Sequence, residues 1–164
     1  MAAKIQVLLK DMHTLAPDDG PFDLVWSEGA LFVMGFRAGL AACHALLAPG
    51  GGLAVSEMAW LRSDVPADCR QFFAEVYPAM AGIAENLATI EACGYEIMGH
   101  FTQPASAWWE PYYHPLEERL GVMRKRYAAD AERLSMIESF QKEIDIYRQY
   151  AAFYGNVCYL MRRR

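Results

Sequence analysis

Between Gly29 and Ser56 the chain carries one charged residue, Arg37, and the same stretch contains Pro49-Gly50-Gly51-Gly52. So apolar a run invites a membrane-spanning helix, but an internal charge and a proline followed by three glycines exclude one. What remains is burial in a protein core, as strand, helix and second strand in succession. Phe22 to Trp26 (Phe-Asp-Leu-Val-Trp) is almost continuously hydrophobic, the pattern of a strand covered on both faces in a parallel sheet. Phe36, Leu40, Cys43 and Leu47 recur at helical spacing up to the Pro-Gly run, which stops the helix. Leu53 to Val55 is then a short buried strand ending in Ser56-Glu57. This unit commits the chain to an α/β architecture.

The flanking segments follow the same alternation. Ile5 to Leu9 is a β-prone run ending at Asp11, and the polar turn Ala16-Pro17-Asp18-Asp19-Gly20-Pro21 separates it from Phe22. Pro66 suits the first turn of a helix capped by Ser63 or Asp64, with Phe72, Phe73 and Val76 facing inward until Pro78. Ile83, Leu87 and Ile90 mark another helix, closed by Gly94, and Tyr95 to Thr102 is a strand. Trp108, Trp109, Tyr112 and Tyr113 read as an aromatic loop before Pro115 opens a long helical region. Its apolar residues, Leu116, Leu120, Met123 and Tyr127, then Leu134, Ile137, Ile144 and Tyr147, keep helical spacing with a break near Asp130. Val157 to Met161 is the last strand. With no repeats or low-complexity linkers, residues 1–164 are expected to form a single α/β domain.

Charge narrows the partners. Met1 to Pro115 holds 5 basic and 13 acidic side chains, Leu116 to Tyr150 holds 7 of each, and the chain ends Arg162-Arg163-Arg164. An acidic surface repels phosphate backbones, so no nucleic-acid partner is expected, whereas a cationic small molecule is favoured. No membrane anchor is expected either. The cysteines Cys43, Cys69, Cys93 and Cys158 form no C-x-x-C pair and no basic-apolar-small leader opens the chain, which predicts a reduced, cytoplasmic protein. His13, His44, His100 and His114 lack metal-ligand spacing and no metal is expected; Cys43 reads as a small core residue.

Open α/β sheets bind ligands beyond the carboxyl ends of their strands, and three of these ends are polar or acidic: Asp11-Met12-His13, Ser27-Glu28-Gly29 and Ser56-Glu57. Each taken singly also suits a helix cap or turn. In the same way, Trp26 and Trp60 taken singly suit core packing better than ligand contact. The combination Phe22-Asp23-Leu24-Val25-Trp26-Ser27-Glu28-Gly29-Ala30, then Leu46-Leu47-Ala48-Pro49-Gly50-Gly51, then Leu53-Ala54-Val55-Ser56-Glu57, is more specific. It resembles the central part of class I S-adenosylmethionine-dependent methyltransferases, whose fourth strand carries an F-D-hydrophobic-hydrophobic pattern and whose fifth follows L-x-P-G-G. The similarity is greatest to small-molecule methyltransferase-like proteins with a W-S-E-G-A segment, and it extends through Tyr154-Gly155 near the end of the chain.

The resemblance implies a partial Rossmann-like sheet with helices on both faces, S-adenosylmethionine as cofactor and a small molecule as methyl acceptor. It places Asp11 and Met12 beside the adenine, and Ser27, Glu28 and Gly29 beside the methionine part of the cofactor. Ser56, Glu57 and Trp60 fall on the substrate side, and Trp108, Tyr112 and Tyr113 belong to a segment that would cover the pocket. Methyl transfer from a sulfonium needs alignment and exclusion of water more than covalent chemistry. Carboxylates and aromatic faces stabilise a cation, and Glu28 or Glu57 could take the proton of a hydroxyl or amine acceptor.

The resemblance also implies a first strand, a glycine-rich cofactor loop and an acidic residue after the second strand, all before or beside Ile5. These residues do not hold them. The expectation is therefore a carboxy-terminal portion of the family fold, with the first two strands missing and cofactor binding weak or lost. Those strands would stand between Ile5–Leu9 and Phe22–Trp26, leaving an apolar edge that is expected to be paired by Ile5–Leu9 or by a second chain, as in a homodimer. The alternative function is a non-catalytic dimerisation or partner-binding module. A nucleotide-binding oxidoreductase would share the sheet type, but neither a dinucleotide loop nor a tyrosine-lysine pair is present.

Overall fold

The computed structural model describes residues 5–164. Its regular elements are β1 (Phe22–Glu28), α1 (Phe36–Leu46), β2 (Leu47–Trp60), α2 (Ala67–Val76), α3 (Ile83–Ala92), β3 (Tyr95–Thr102), α4 (His114–Arg126), α5 (Ala131–Tyr150) and β4 (Tyr154–Arg163). The strands form one four-stranded sheet in the order β1-β2-β4-β3, with β1 parallel to β2. This is the expected partial Rossmann-like architecture. Among the described residues no helix is long and apolar enough to cross a membrane.

The Gly29–Ser56 stretch folds as strand end, helix and strand, with one difference. Helix α1 buries Gly39, Leu40, Cys43 and Leu46, and the chain passes from Leu46 directly into β2. Pro49-Gly50-Gly51-Gly52 is therefore inside a 14-residue strand rather than in front of a three-residue one. Phe22 stands opposite Leu47 while Leu24 stands opposite Gly52, so two steps along β1 match five along β2 and the surplus bulges out. From Leu24 onward the pairing is regular and ends with Glu28 opposite Ser56.

Two compact units share the chain. The first comprises the described residues up to Glu57, with Ala84–His100 and Cys158–Arg164; the second comprises Met58–Ile83 and Phe101–Val157. In the first, Leu40, Leu53, Val55, Ile90 and Tyr95 are buried, and the Tyr95 hydroxyl donates to the Leu40 carbonyl at 2.8 Å. The terminal arginines are engaged there as well: Arg162 pairs with Glu96 at 2.6 Å, and Arg163 donates to the Leu47 carbonyl. In the second unit the core is aromatic, with Phe73, Tyr113, Tyr147 and Tyr154 buried among Cys69, Leu120, Ile137 and Ile144. Asp130 accepts from the Arg133 N–H at 3.1 Å and starts α5, so the break lies where the spacing predicts it.

Several expectations are corrected. Ile5–Leu9 forms no strand, its residues are exposed, and it does not pair with β1. Strand β1 is not covered on both faces: Leu24 is 57% exposed and Trp26 68%, because β1 stands at the sheet's edge. Trp26 is accordingly not a core residue. Pro66 is the residue before α2 and no side chain caps that helix; Asp64 instead pairs with Arg62 at 2.7 Å. Phe73 faces inward as expected, but Val76, in the last turn, is 58% exposed. Trp108–Tyr113 is not a loop: Ser106–Trp108 is helical and Trp109–Tyr113 forms a widened helical turn leading into α4. Such a turn suits Pro111, whose ring and missing N–H do not fit a regular helix interior.

Candidate functional site

The register of β1 on β2 brings five of the predicted residues together. Because Glu28 pairs with Ser56, the chain leaving β1 at Gly29 runs beside Ser56, and the Gly29 N–H donates to the Ser56 carbonyl at 3.3 Å and to the Ser56 Oγ at 2.9 Å. Gly29 has φ +53, in the left-handed region that side chains rarely adopt, and a Cβ built there meets nothing within 4 Å. The backbone is thus open at the carboxyl end of β1. Trp26 and Glu28, two apart and so on one face of the strand, are linked by an indole N–H to carboxylate bond of 2.7 Å, and both are exposed. Ser27 is half-buried on the other face.

The second carboxylate differs in setting. Glu57 is only 3% exposed, and Ser56 beside it is also buried. In the same unit Asn86 on α3 and Tyr159 on β4 are buried, and the Asn86 Nδ2 donates to the Tyr159 hydroxyl at 3.1 Å. Burial pushes the Tyr159 phenol up to about 12; the Asn86 hydrogen bond opposes the rise and the Glu57 charge adds to it. Sequence reasoning passed over Asn86 and Tyr159. One signal was available: Asn86 lies one helical turn before Ile90, on the apolar face of α3, where a polar residue needs a partner.

The other predicted residues make contacts of their own. Asp11 is exposed and caps the single turn Met12–Thr14; the His13 backbone N–H, at 2.9 Å, chiefly holds its carboxyl below the usual carboxylate range. Met12 is half-buried. Trp60, Trp108, Tyr112 and Tyr113 belong to the second unit. The Trp60 indole donates to the Met80 carbonyl at 3.1 Å, and its ring meets Phe73 edge-on at 5.3 Å. Trp108 stacks on Tyr147 at 5.1 Å and on Tyr113 at 5.6 Å. The buried Tyr113 hydroxyl donates to Glu143 at 3.2 Å, and burial raises the Glu143 carboxyl against that bond. Only Tyr112 of this group is exposed to solvent to any large extent. A shallow depression of about 540 Å³ in this unit is lined by Ser106, Trp109, Glu110, His114, Glu117 and Arg148, the last held by Glu117 at 2.9 Å and lying over the Trp109 ring.

The fold is like that of class I S-adenosylmethionine-dependent methyltransferases, as comparison with solved structures shows. Neither family models nor curated proteins give a match to the sequence. Among solved structures, the chain is similar to a SAM-dependent methyltransferase from Thiobacillus denitrificans in complex with S-adenosyl-L-homocysteine, with a TM-score of 0.68, 16% identity, and 89% of this chain and 60% of that one covered. A SAM-dependent methyltransferase from Geobacter sulfurreducens, also in complex with S-adenosyl-L-homocysteine, gives 0.67 at 18% identity, covering 89% and 59%. A cyclopropane synthase from Mycobacterium tuberculosis gives 0.67 at 18% identity, covering 96% and 60%. The chain therefore spans little more than half the length of these proteins, and at such identities the likeness is one of fold.

Proposed function

We propose that the chain is the carboxy-terminal portion of an S-adenosylmethionine-dependent methyltransferase acting on a small-molecule acceptor. The observation that carries this reading is the strand-end cluster: an open left-handed Gly29 between the exposed Trp26–Glu28 pair and the buried Ser56. These residues fit the cofactor. A side chain is absent where a ligand would approach the backbone, and a carboxylate and an indole face are available to a cation. S-adenosylmethionine, when bound, supplies the methyl group from its sulfonium. Ser27, Glu28 and Gly29 hold its methionine part, and Asp11 and Met12 border the adenine. Ser56 serves the acceptor side. Glu28, the exposed carboxylate, takes the acceptor's proton, and the buried Glu57 supports the site from within.

The test is an NMR titration of the chain with S-adenosylhomocysteine, following the Gly29 and Ser56 amides. Weak binding is expected, with a dissociation constant on the order of 100 μM or above, a free energy no better than roughly −5.5 kcal/mol. Gly29→Val should weaken it at least about tenfold, since it fills the open position while losing roughly 1–2 kcal/mol of stability to the left-handed backbone. Unmoved amides at millimolar ligand sink the cofactor reading for this chain.

The edge position of β1 supports a second reading, a dimerisation module. Phe22, Leu24 and Trp26 alternate along one face of that edge strand and all three are exposed. Light scattering on the eluting chain is expected to give a dimer mass that Leu24→Lys returns to the monomer. A monomer for the unaltered chain at high concentration counts against this use of the edge.

A further inference from the structure

Residues 5–9 lie in the first unit but take no part in its sheet. Ile5, Val7 and Leu9 are 82%, 88% and 107% exposed, and Leu8 is 64% exposed. So open an apolar run marks an interaction surface. The connection after it is folded on itself into the turns Met12–Thr14 and Pro17–Asp19: Asp19 holds Lys10 at 2.5 Å and accepts from the Ala16 N–H at 2.8 Å. This anchors the arm at Lys10 and leaves the residues before it unpaired. Strand β1 has the matching deficiency. Its one neighbour among the described residues is β2, so the N–H and C=O groups along its other side have no ladder to join.

The two runs carry the same alternation. In an extended arm, Ile5, Val7 and Leu9 fall on one face and Gln6, Leu8 and Lys10 on the other; β1 has Phe22, Leu24 and Trp26 on one face and Asp23, Val25 and Ser27 on the other. Laid antiparallel with Leu8 opposite Val25, they match on both faces. Lys10 meets Asp23 and Gln6 meets Ser27, while Leu9 meets Leu24 and Val7 meets Trp26. Opposite charges and apolar pairs facing each other in this way stabilise a ladder. A parallel alignment of the same two centres puts Gln6 against Asp23 and Lys10 against Ser27, and the charge pair is lost.

We propose that residues 5–10 of one copy add as an antiparallel strand to the free edge of β1 in a second copy, which returns its own arm and closes a two-fold dimer. The proposal rests on the dimerisation reading of that edge and names the segment that covers it. The Lys10 ammonium has three protons to donate, so Asp19 of its own copy and the partner's Asp23 can share it.

The test uses the full chain, with ¹³C-labelled and unlabelled copies mixed in equal parts. Isotope-filtered NMR spectra are expected to show the Val7 methyls of labelled copies against the Trp26 indole of unlabelled ones, and Leu9 against Leu24. Light scattering reads the assembly. Val7→Pro, which removes a ladder N–H and fixes φ, should weaken the dimer at least about tenfold, whereas Val7→Ile should retain it. Because the arm joins no strand of its own copy, Val7→Pro should leave the Tyr95 amide signal in place, which separates loss of pairing from loss of fold. A dimer without arm-to-β1 contacts, or one that Val7→Pro leaves intact, overturns the arm exchange while the dimerisation reading stands. Arm contacts that arise only within one copy overturn it as well. A monomer at high concentration overturns both and leaves the edge to a different chain.

Discussion

Phe73→Ala is expected to destabilise the second unit by about 3–5 kcal/mol, as measured by denaturant unfolding followed through tryptophan fluorescence. Phe73 is 4% exposed and stands where several aromatic side chains meet edge to face: Tyr154 at 4.5 Å between ring centroids, Phe72 at 5.1 Å and Trp60 at 5.3 Å. Such ring pairs contribute about 0.5–1.5 kcal/mol each beyond the burial of their area. Truncation removes these contacts together with the transfer energy of the ring, and the stiff neighbours cannot close the hole. Trp60 is held by its bond to the Met80 carbonyl, and Tyr154 belongs to β4. Val76→Ala, three residues further along α2, is the control. Its side chain is largely exposed, so a change within about 0.5 kcal/mol is expected. A loss below about 1.5 kcal/mol for Phe73→Ala would show that this cluster relaxes and is not a rigid core.

Helical periodicity carried most of the fold. The stop signals Gly94 and Asp130 fall next to element ends, since caps and breakers act over a few residues and leave their mark in local sequence, whereas Pro49 follows the end of α1 but lies inside β2. Gly94, with φ +87, occupies the left-handed position expected after α3. Periodicity failed where the outcome depends on what lies beside a segment. Ile5–Leu9 has strand propensity but no partner strand, and propensity without pairing leaves it outside the sheet and exposed. The apolar run Phe22–Trp26 correctly signalled a parallel strand, yet it cannot report that one side lacks a neighbour. Trp108–Tyr113 reads as an aromatic loop before Pro115, yet it is a widened helical turn, which absorbs Pro111, while Pro115 sits in the first turn of α4.

The strand ends show the same division. Ser27, Glu28, Gly29, Ser56 and Glu57 were readable because parallel strands bring their carboxyl ends to one place, and the register does so residue for residue. That Glu28 is exposed and Glu57 buried was not readable: one side chain lies on an edge strand and the other on the neighbour that β4 also flanks. Asn86 and Tyr159 come from elements far along the chain, so only the folded arrangement places them with Glu57 in one unit.

The Pro-Gly run provides the second large effect. Gly51→Ala is expected to cost about 3 kcal/mol, more than the same change at Gly50 or Gly52. A Cβ on Gly51 would meet the Ala48 carbonyl oxygen at 2.9 Å and those of Phe22 and Asp23 at 3.0 and 3.3 Å, all backbone atoms on both strands of the pair. Nothing there can rotate away, so the strands must part or the surplus loop of β2 must refold. At Gly52 the nearest atom is the Leu24 Cδ1 at 3.3 Å, the far end of a flexible side chain, and a cost below about 1 kcal/mol follows. At Gly50 there is open space, and only its φ of +75 opposes a side chain, for roughly 1–2 kcal/mol. The run that first suggested a helix stop thus has its main constraint in its middle residue, which lets β1 close against β2 two residues before the regular ladder begins. Because Glu28 is matched to Ser56 through that same ladder, Gly51→Ala should also shift the Gly29 amide in NMR spectra, although the two glycines are separated by most of the strand. Equal costs at the three glycines, or an unmoved Gly29 amide, would mean that register is set elsewhere along the strands.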